Sequence, residues 1–123
     1  FRDAYTIEDG RMVVQQLIKW ENKPTAIFTG GDEVAAGILS EAKSYSLRIP
    51  EDLAVVGFDN QAISSLLDPP ITTVHQPVDL MAQKAIAILM EKLRTKLYNQ
   101  LEVHEFQLQL IVRDSTVKQG VTI

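Results

Sequence analysis

The chain has 123 residues, 46% of them hydrophobic and 23% charged, which fits one ordinary globular domain with a sizeable core. A net charge of -4 argues against it gripping nucleic acid by itself, because phosphate binding needs a basic surface. With no cysteine, disulfides and thiolate metal sites are excluded, and no apolar run approaches the ~20 residues of a membrane span. No signal peptide is visible, and the start at Phe1 without Met leaves room for an upstream segment.

In chain order, Thr6 reads as an N-cap, with Glu8 and Asp9 in the first turn, where carboxylates suit the helix dipole. Ile7, Val13, Val14, Leu17, Ile18 and Trp20 share one face at helical spacing, and Trp20 is expected in the core. Gly10 weakens that helix by ~1 kcal/mol relative to Ala, a cost that suits close packing. Asn22-Lys23-Pro24 ends the element, and Thr25 to Thr29 reads as a short buried strand broken by Gly30-Gly31. Asp32 starts the next helix, on which Val34, Ala35, Ile38, Leu39, Ala42 and Tyr45 form an apolar stripe opposite Ser40, Lys43 and Ser44. Ser46 stands where a helix often ends with a left-handed Gly.

Leu53 to Val56 is apolar without a break, the pattern of a strand buried on both faces. Gly57, Phe58, Asp59 and Asn60 follow. Gln61 to Asp68 reads as a loop or short helix carrying Ile63, Leu66 and Leu67, and Asp68-Pro69-Pro70 forces an extended chain. Ile71 to His75 is rich in β-branched residues and reads as a strand. Pro77 opens a long helix in its first turn; Val78, Met81, Ala82, Ala85, Ile86, Leu89, Leu93 and Leu97 make its apolar face, opposite Lys84, Glu91 and Thr95. Val103 to Val112 alternates as a half-buried strand. The order α-β-α-β-β-α-β implies an α/β fold, an open, mostly parallel sheet with helices on both faces.

Ligands in such sheets collect outside the carboxyl ends of the strands. Asp59 sits at such an end, either to turn the chain or to accept hydrogen bonds from a hydroxyl, amine or ring N–H. Asp32 follows another strand; it reads first as an N-cap, with ligand contact as a second role. Tyr5 either stacks on a ring or sugar face or packs against its loop. The two carboxylates at one mouth also admit acid–base chemistry or Mg²⁺ binding, but the acidic cluster is thin. His75 and His104 have no metal spacing, and Ser64-Ser65 lacks a nucleophile setting. No cofactor is expected.

Pro24 to Phe28, Asp32-Glu33 with Ala35-Ala36-Gly37, Leu47 to Asp52, Val55 to Asn60, Pro70 to Val74 and Gln76-Pro77 together resemble the lactose-repressor/galactose-repressor family of bacterial transcription regulators. The likeness runs from about Tyr5 to Ser115. It implies a periplasmic-binding-protein-like type I fold of two lobes around a ligand cleft. Residues 1–123 would be its C-terminal part, with the DNA-binding head and first lobe absent. Ligand roles carry over to Asp59, Asp32 and Tyr5. Many family members have Asn, reaching a ligand hydroxyl, where Gly31 stands with no side chain, a departure that argues against a simple sugar effector.

The resemblance also implies a cytoplasmic homodimer through the helix carrying Val34, Ile38, Ala42 and Tyr45 and the segment carrying Ile63, Leu66 and Leu67. The latter three independently form an apolar patch of a kind that marks interfaces. The family's long helix packs on the other lobe, so here its apolar face needs another chain or a rearranged fold as cover. The leading expectation is an effector-sensing and dimerisation module of a repressor, its effector a sugar, nucleobase or similar small molecule. DNA would be bound only through the missing head. A periplasmic or secreted sugar-binding protein is the second reading and an enzyme the third.

Overall fold

The computed structural model describes residues 3–117. The elements run α1 (Ile7–Leu17), β1 (Ala26–Phe28), α2 (Asp32–Ser44), β2 (Ala54–Asp59), α3 (Ala62–Leu66), β3 (Thr72–His75), α4 (Val78–Thr95) and β4 (Gln109–Ile111). One sheet takes the strands in the order β1-β2-β3-β4, with β1, β2 and β3 parallel. Parallel neighbours need crossovers, which α2 and α3 supply. The chain forms two compact units. One takes in the described residues up to His75 and from Leu110 onward; the other is Gln76–Gln109.

The core of the first unit joins Val13 and Val14 of α1, Val34, Ala35, Ile38 and Leu39 of α2, and Leu53, Val55 and Ile71 from the sheet side. Burial along β2 alternates: Val55 and Gly57 are buried, whereas Val56 and Phe58 are half-buried. The strand is therefore not sealed on both faces, because α1 and α2 cover the face of Leu53, Val55 and Ile71 only. β1, expected to be buried, is the sheet edge; Phe28 is exposed and meets Phe58 edge-on at 6.2 Å.

α1 begins with a capping box. The Thr6 hydroxyl accepts from the Asp9 N–H, and the Asp9 carboxylate accepts from the Thr6 N–H. The helix stops at Leu17, so Trp20 lies past its end and is half-exposed rather than core. α1 and α2 cross with their backbones in contact. A Cβ on Gly10 would fall 2.1 Å from the Val34 carbonyl oxygen, and one on Gly37 would fall 1.9 Å from that of Ile7. Glu41 of α2 adds a polar tie, accepting from Arg11 Nε at 3.0 Å and Gln15 Nε2 at 2.9 Å on α1. Beyond α2, Ser46 takes a left-handed φ of 53°, the conformation a Gly would adopt at lower cost.

In the second unit, α4 has Pro77 as its N-cap and ends on a left-handed Lys96, so Leu97 lies beyond it. No residue of α4 is buried. Its apolar positions, among them Ile86, Leu89 and Leu93, are exposed. The strand expected over Val103 to Val112 shortens to Gln109–Ile111. Alternation yields a strand only where a partner and a covering layer exist, and Leu101 and Val103 stand 99% and 86% exposed. No helix among the described residues is long and apolar enough to cross a membrane.

Candidate functional site

The site forms where β1 and β2 end. Two concavities of about 260 Å³ each share Ala4, Tyr5, Gly30 and Val34 in their walls. One adds the apolar Val13, Ile27, Phe28 and Ile38 together with Asp3 and Thr29; the other adds Gly31, Glu33, Asp59 and Gln61. Tyr5 and Asp59 thus line one cavity.

Tyr5 is positioned by the start of α1. Its N–H donates to Asp9 Oδ2 at 2.9 Å, so the box that caps the helix also fixes the backbone that presents the ring. The ring itself is largely exposed. That N–H is the main reason the Asp9 carboxyl titrates below its ordinary value, with the Thr6 hydroxyl and N–H adding to it. Glu41 is also lowered, first by the Gln15 amide and then by Arg11. Both folded pKa values lie below the unfolded ones. Their contributions to stability are therefore complete above the ordinary carboxylate range and lost as pH falls through the folded values. Thermal unfolding should show a Tm that is level from about pH 7 to pH 5 and drops below about pH 4, and Asp9→Asn should flatten part of that drop.

Asp59 and Asn60 sit at positive φ, 97° and 54°. A non-glycine pair held this way costs roughly 1–3 kcal/mol per residue and persists only where the surroundings enforce it. Here Asp32 enforces it. The residue is wholly buried, so it is not a ligand contact at the pocket edge. Nor is it an N-cap: Gly31 caps α2, with no side-chain bond. Instead Asp32 Oδ2 accepts from the Gln61 N–H and Oδ1 from the Thr73 hydroxyl, both at 2.7 Å. The Thr73 oxygen in turn accepts from the Asn60 N–H at 3.2 Å. Gly57 makes room for this carboxyl, since a Cβ there would fall 2.0 Å from Asp32 Oδ1.

Arg113, which pattern reading passes over, ties the same turn from behind. One guanidinium nitrogen donates to Asn60 Oδ1 at 2.8 Å; another donates to the Ile71 carbonyl at 2.8 Å and Ser64 Oγ at 3.0 Å. The available signal was a lone cation followed by Asp-Ser-Thr directly after an alternating apolar run. His75 Nδ1 lies 3.3 Å from Asn60 Nδ2, an ordinary polar contact. No metal-holding cluster of His, Cys, Asp or Glu occurs among the described residues.

The residues expected at a dimer interface divide. Val34, Ile38 and Ala42 are buried within the unit and have no surface to offer another chain. The stripe that marks them is the face α2 turns to its own core, and periodicity is the same for either kind of cover. Tyr45 and Leu66 are exposed, and Ile63 and Leu67 are half-buried.

A parallel α/β lobe with an acidic residue and an aromatic at the carboxyl end of its strands is a small-molecule-binding architecture. Residues 2–116 match the family model described as a periplasmic binding protein-like domain. The chain is 39% identical over 116 residues to the NTD biosynthesis operon regulator NtdR of Bacillus subtilis, covering 94% of this chain and 35% of that protein. It is 36% identical over 107 residues to the HTH-type transcriptional repressor PurR of Vibrio vulnificus, covering 87% and 32%. A LacI family transcriptional regulator from Lactobacillus casei with bound sucrose superposes with a TM-score of 0.78 at 34% identity, over 92% of this chain and 42% of that one. The chain belongs to the periplasmic binding protein-like domain family, and the relatives and the solved structure to which it is similar are by name transcription regulators. The chain spans about a third of the length of these curated relatives.

Proposed function

We propose that this chain is the effector-sensing and dimerisation part of a cytoplasmic DNA-binding transcription regulator, and that it carries no catalysis. The observation that carries the reading is Asp59 and Tyr5 on one cavity at the carboxyl end of the central strand. Asp59 accepts a hydrogen bond from an O–H or N–H of the effector and Tyr5 covers its face. Asp32 holds the turn that presents Asp59 and does not touch the effector. The names of the relatives support a regulator over a transport protein, and the sugar in the L. casei structure supports a small polar effector. The homodimer surface is drawn from Tyr45, Ile63, Leu66 and Leu67, of which Leu66 is 81% exposed. DNA is bound by a separate helix-turn-helix segment. The exposed apolar face of α4 is covered in the full-length protein by the first lobe.

Thermal shift on the full-length protein against sugars, nucleosides and nucleobases tests this, because a ligand raises Tm by mass action. Asp59→Ala is expected to abolish the shift for the compound that gives it, with that compound recovered unchanged. Leu66→Glu is expected to yield monomers in sedimentation. Turnover of the compound, or an undiminished shift in Asp59→Ala, would reject the reading.

A further inference from the structure

The chain leaves the first unit after His75, the last residue of β3, and returns to it at Leu110. Close to each junction a residue is bonded to the same side chain. Asn60 Oδ1 accepts from an Arg113 guanidinium nitrogen at 2.8 Å and from the Ser64 hydroxyl at 3.4 Å. Those bonds fix which way round the Asn60 amide lies. Its NH₂ therefore faces the His75 ring and donates to Nδ1, at 3.3 Å. Asn60 follows Asp59 directly, and both hold positive φ. Asparagine tolerates that conformation and adds a donor and an acceptor on one short side chain, which glycine at the same position would not.

The returning segment is pinned just beyond Arg113. The Arg113 N–H donates to the Thr72 hydroxyl at 2.8 Å. Ser115 is wholly buried; its hydroxyl accepts from the Thr72 N–H at 2.8 Å and donates to the Val55 carbonyl. Its backbone bonds to Val55 and Pro70, each at 3.0 Å. A displacement of this segment therefore cannot pass into the sheet, whereas Arg113 lies between the pin and the junction and reaches the turn.

We propose that Asn60 is the coupling residue of this domain, linking effector occupancy at Asp59 to both segments by which the chain passes between its units. A ligand that draws on the Asp59 carboxylate favours the turn in which Asn60 is engaged. Engaged, Asn60 holds His75 and Arg113 together; disengaged, it frees both. These two arrangements are the two-state element that a coupling needs. The link is reciprocal, so whatever displaces the junction segments changes effector affinity by the same factor. This inference rests on the site proposed above and goes further. It assigns regulation of that site to Asn60, His75 and Arg113, which line neither cavity.

The test follows amide hydrogen exchange in the full-length protein, free and with whichever of D-ribose, D-glucose, sucrose, adenosine and cytidine raises its Tm most. In the natural chain the compound is expected to slow exchange about fivefold or more at residues 59–61, 75–76 and 110–113. Asn60→Leu removes both amide bonds at similar volume. It is expected to bind about fivefold more weakly, to keep the slowing at 59–61 and to lose it at both junctions. A merely structural role would instead speed ligand-free exchange across the first unit and leave the ligand's effect at the junctions in place. If Asn60→Leu does not fold or does not bind, His75→Phe and Arg113→Met decide. Each should lose the slowing at its own junction and keep it at the other. Undiminished slowing at the junctions in these variants, or none there in the natural chain, with Asp59→Ala still losing binding, would overturn this inference and leave the site standing. If Asp59→Ala binds undiminished, or no compound raises the Tm of the natural chain, the site and the inference fall together.

Discussion

Gly10→Ala is expected to destabilise the protein by about 3 kcal/mol, the upper part of the range for overpacking a close contact. Two effects oppose each other. Alanine gains ~1 kcal/mol of helix propensity over glycine. Against that, its methyl would occupy the place of the Val34 carbonyl oxygen, 2.1 Å away, and a backbone atom cannot turn aside as a side chain can. The helices must separate, and Val13, Val14, Val34 and Ile38, which fill the space between them and the sheet, lose their packing. The steric term wins. Gly37→Ala should cost a similar amount, because its methyl would meet the Ile7 carbonyl oxygen from the other helix. Both substitutions force the same separation, so the double variant should cost less than the two single costs combined, as expected of residues in contact. Urea denaturation of the four proteins measures this. A near-neutral Gly10→Ala would mean that α1 and α2 do not cross at these residues.

Asp32→Ala should cost about 3 kcal/mol as well, by a different route. It strands two donors, the part-buried Gln61 N–H and the buried Thr73 hydroxyl, the latter at about 1–3 kcal/mol, with part recovered by relaxation. It also frees the turn at Asp59 and Asn60 to leave its strained conformation. Effector affinity should therefore fall although Asp32 is sealed from the cavity. Asp32→Asn is the informative partner. Its amide oxygen can still accept from Gln61, while its NH₂ faces the Thr73 oxygen, which already accepts from the Asn60 N–H. Only one of the two bonds is lost outright, and the stability cost should be about 1 kcal/mol. Titration calorimetry and denaturation on both variants would separate the effects. An Asp32→Ala variant with full stability and full affinity would show that the turn is held by other groups.

Much of this molecule was legible in one dimension. Thr6 and Asp9 marked the start of α1, because a capping box is a local contract among residues three apart. The positions of β2 and of Asp59 at its end followed from an apolar run and its abrupt polar stop. Gly10 was suspect on cost alone, and Ser46 occupies the left-handed position suited to its place after a helix. Each of these depends on neighbours within a few residues in the chain.

What covers a surface is not local, and there the tertiary structure decided. The stripe of Val34, Ile38 and Ala42 reads the same whether it meets its own core or another subunit, and only the fold turns it inward. The alternation from Val103 onward has the right period for a strand but becomes one only over Gln109–Ile111. Trp20 lies on the helical face by count, but the helix has ended before the chain reaches it. Asp32, which follows a strand, reads first as an N-cap and second as a ligand contact, and it is neither. Its two acceptor oxygens are instead taken by groups 29 and 41 positions away, a pairing that spacing along the chain does not encode.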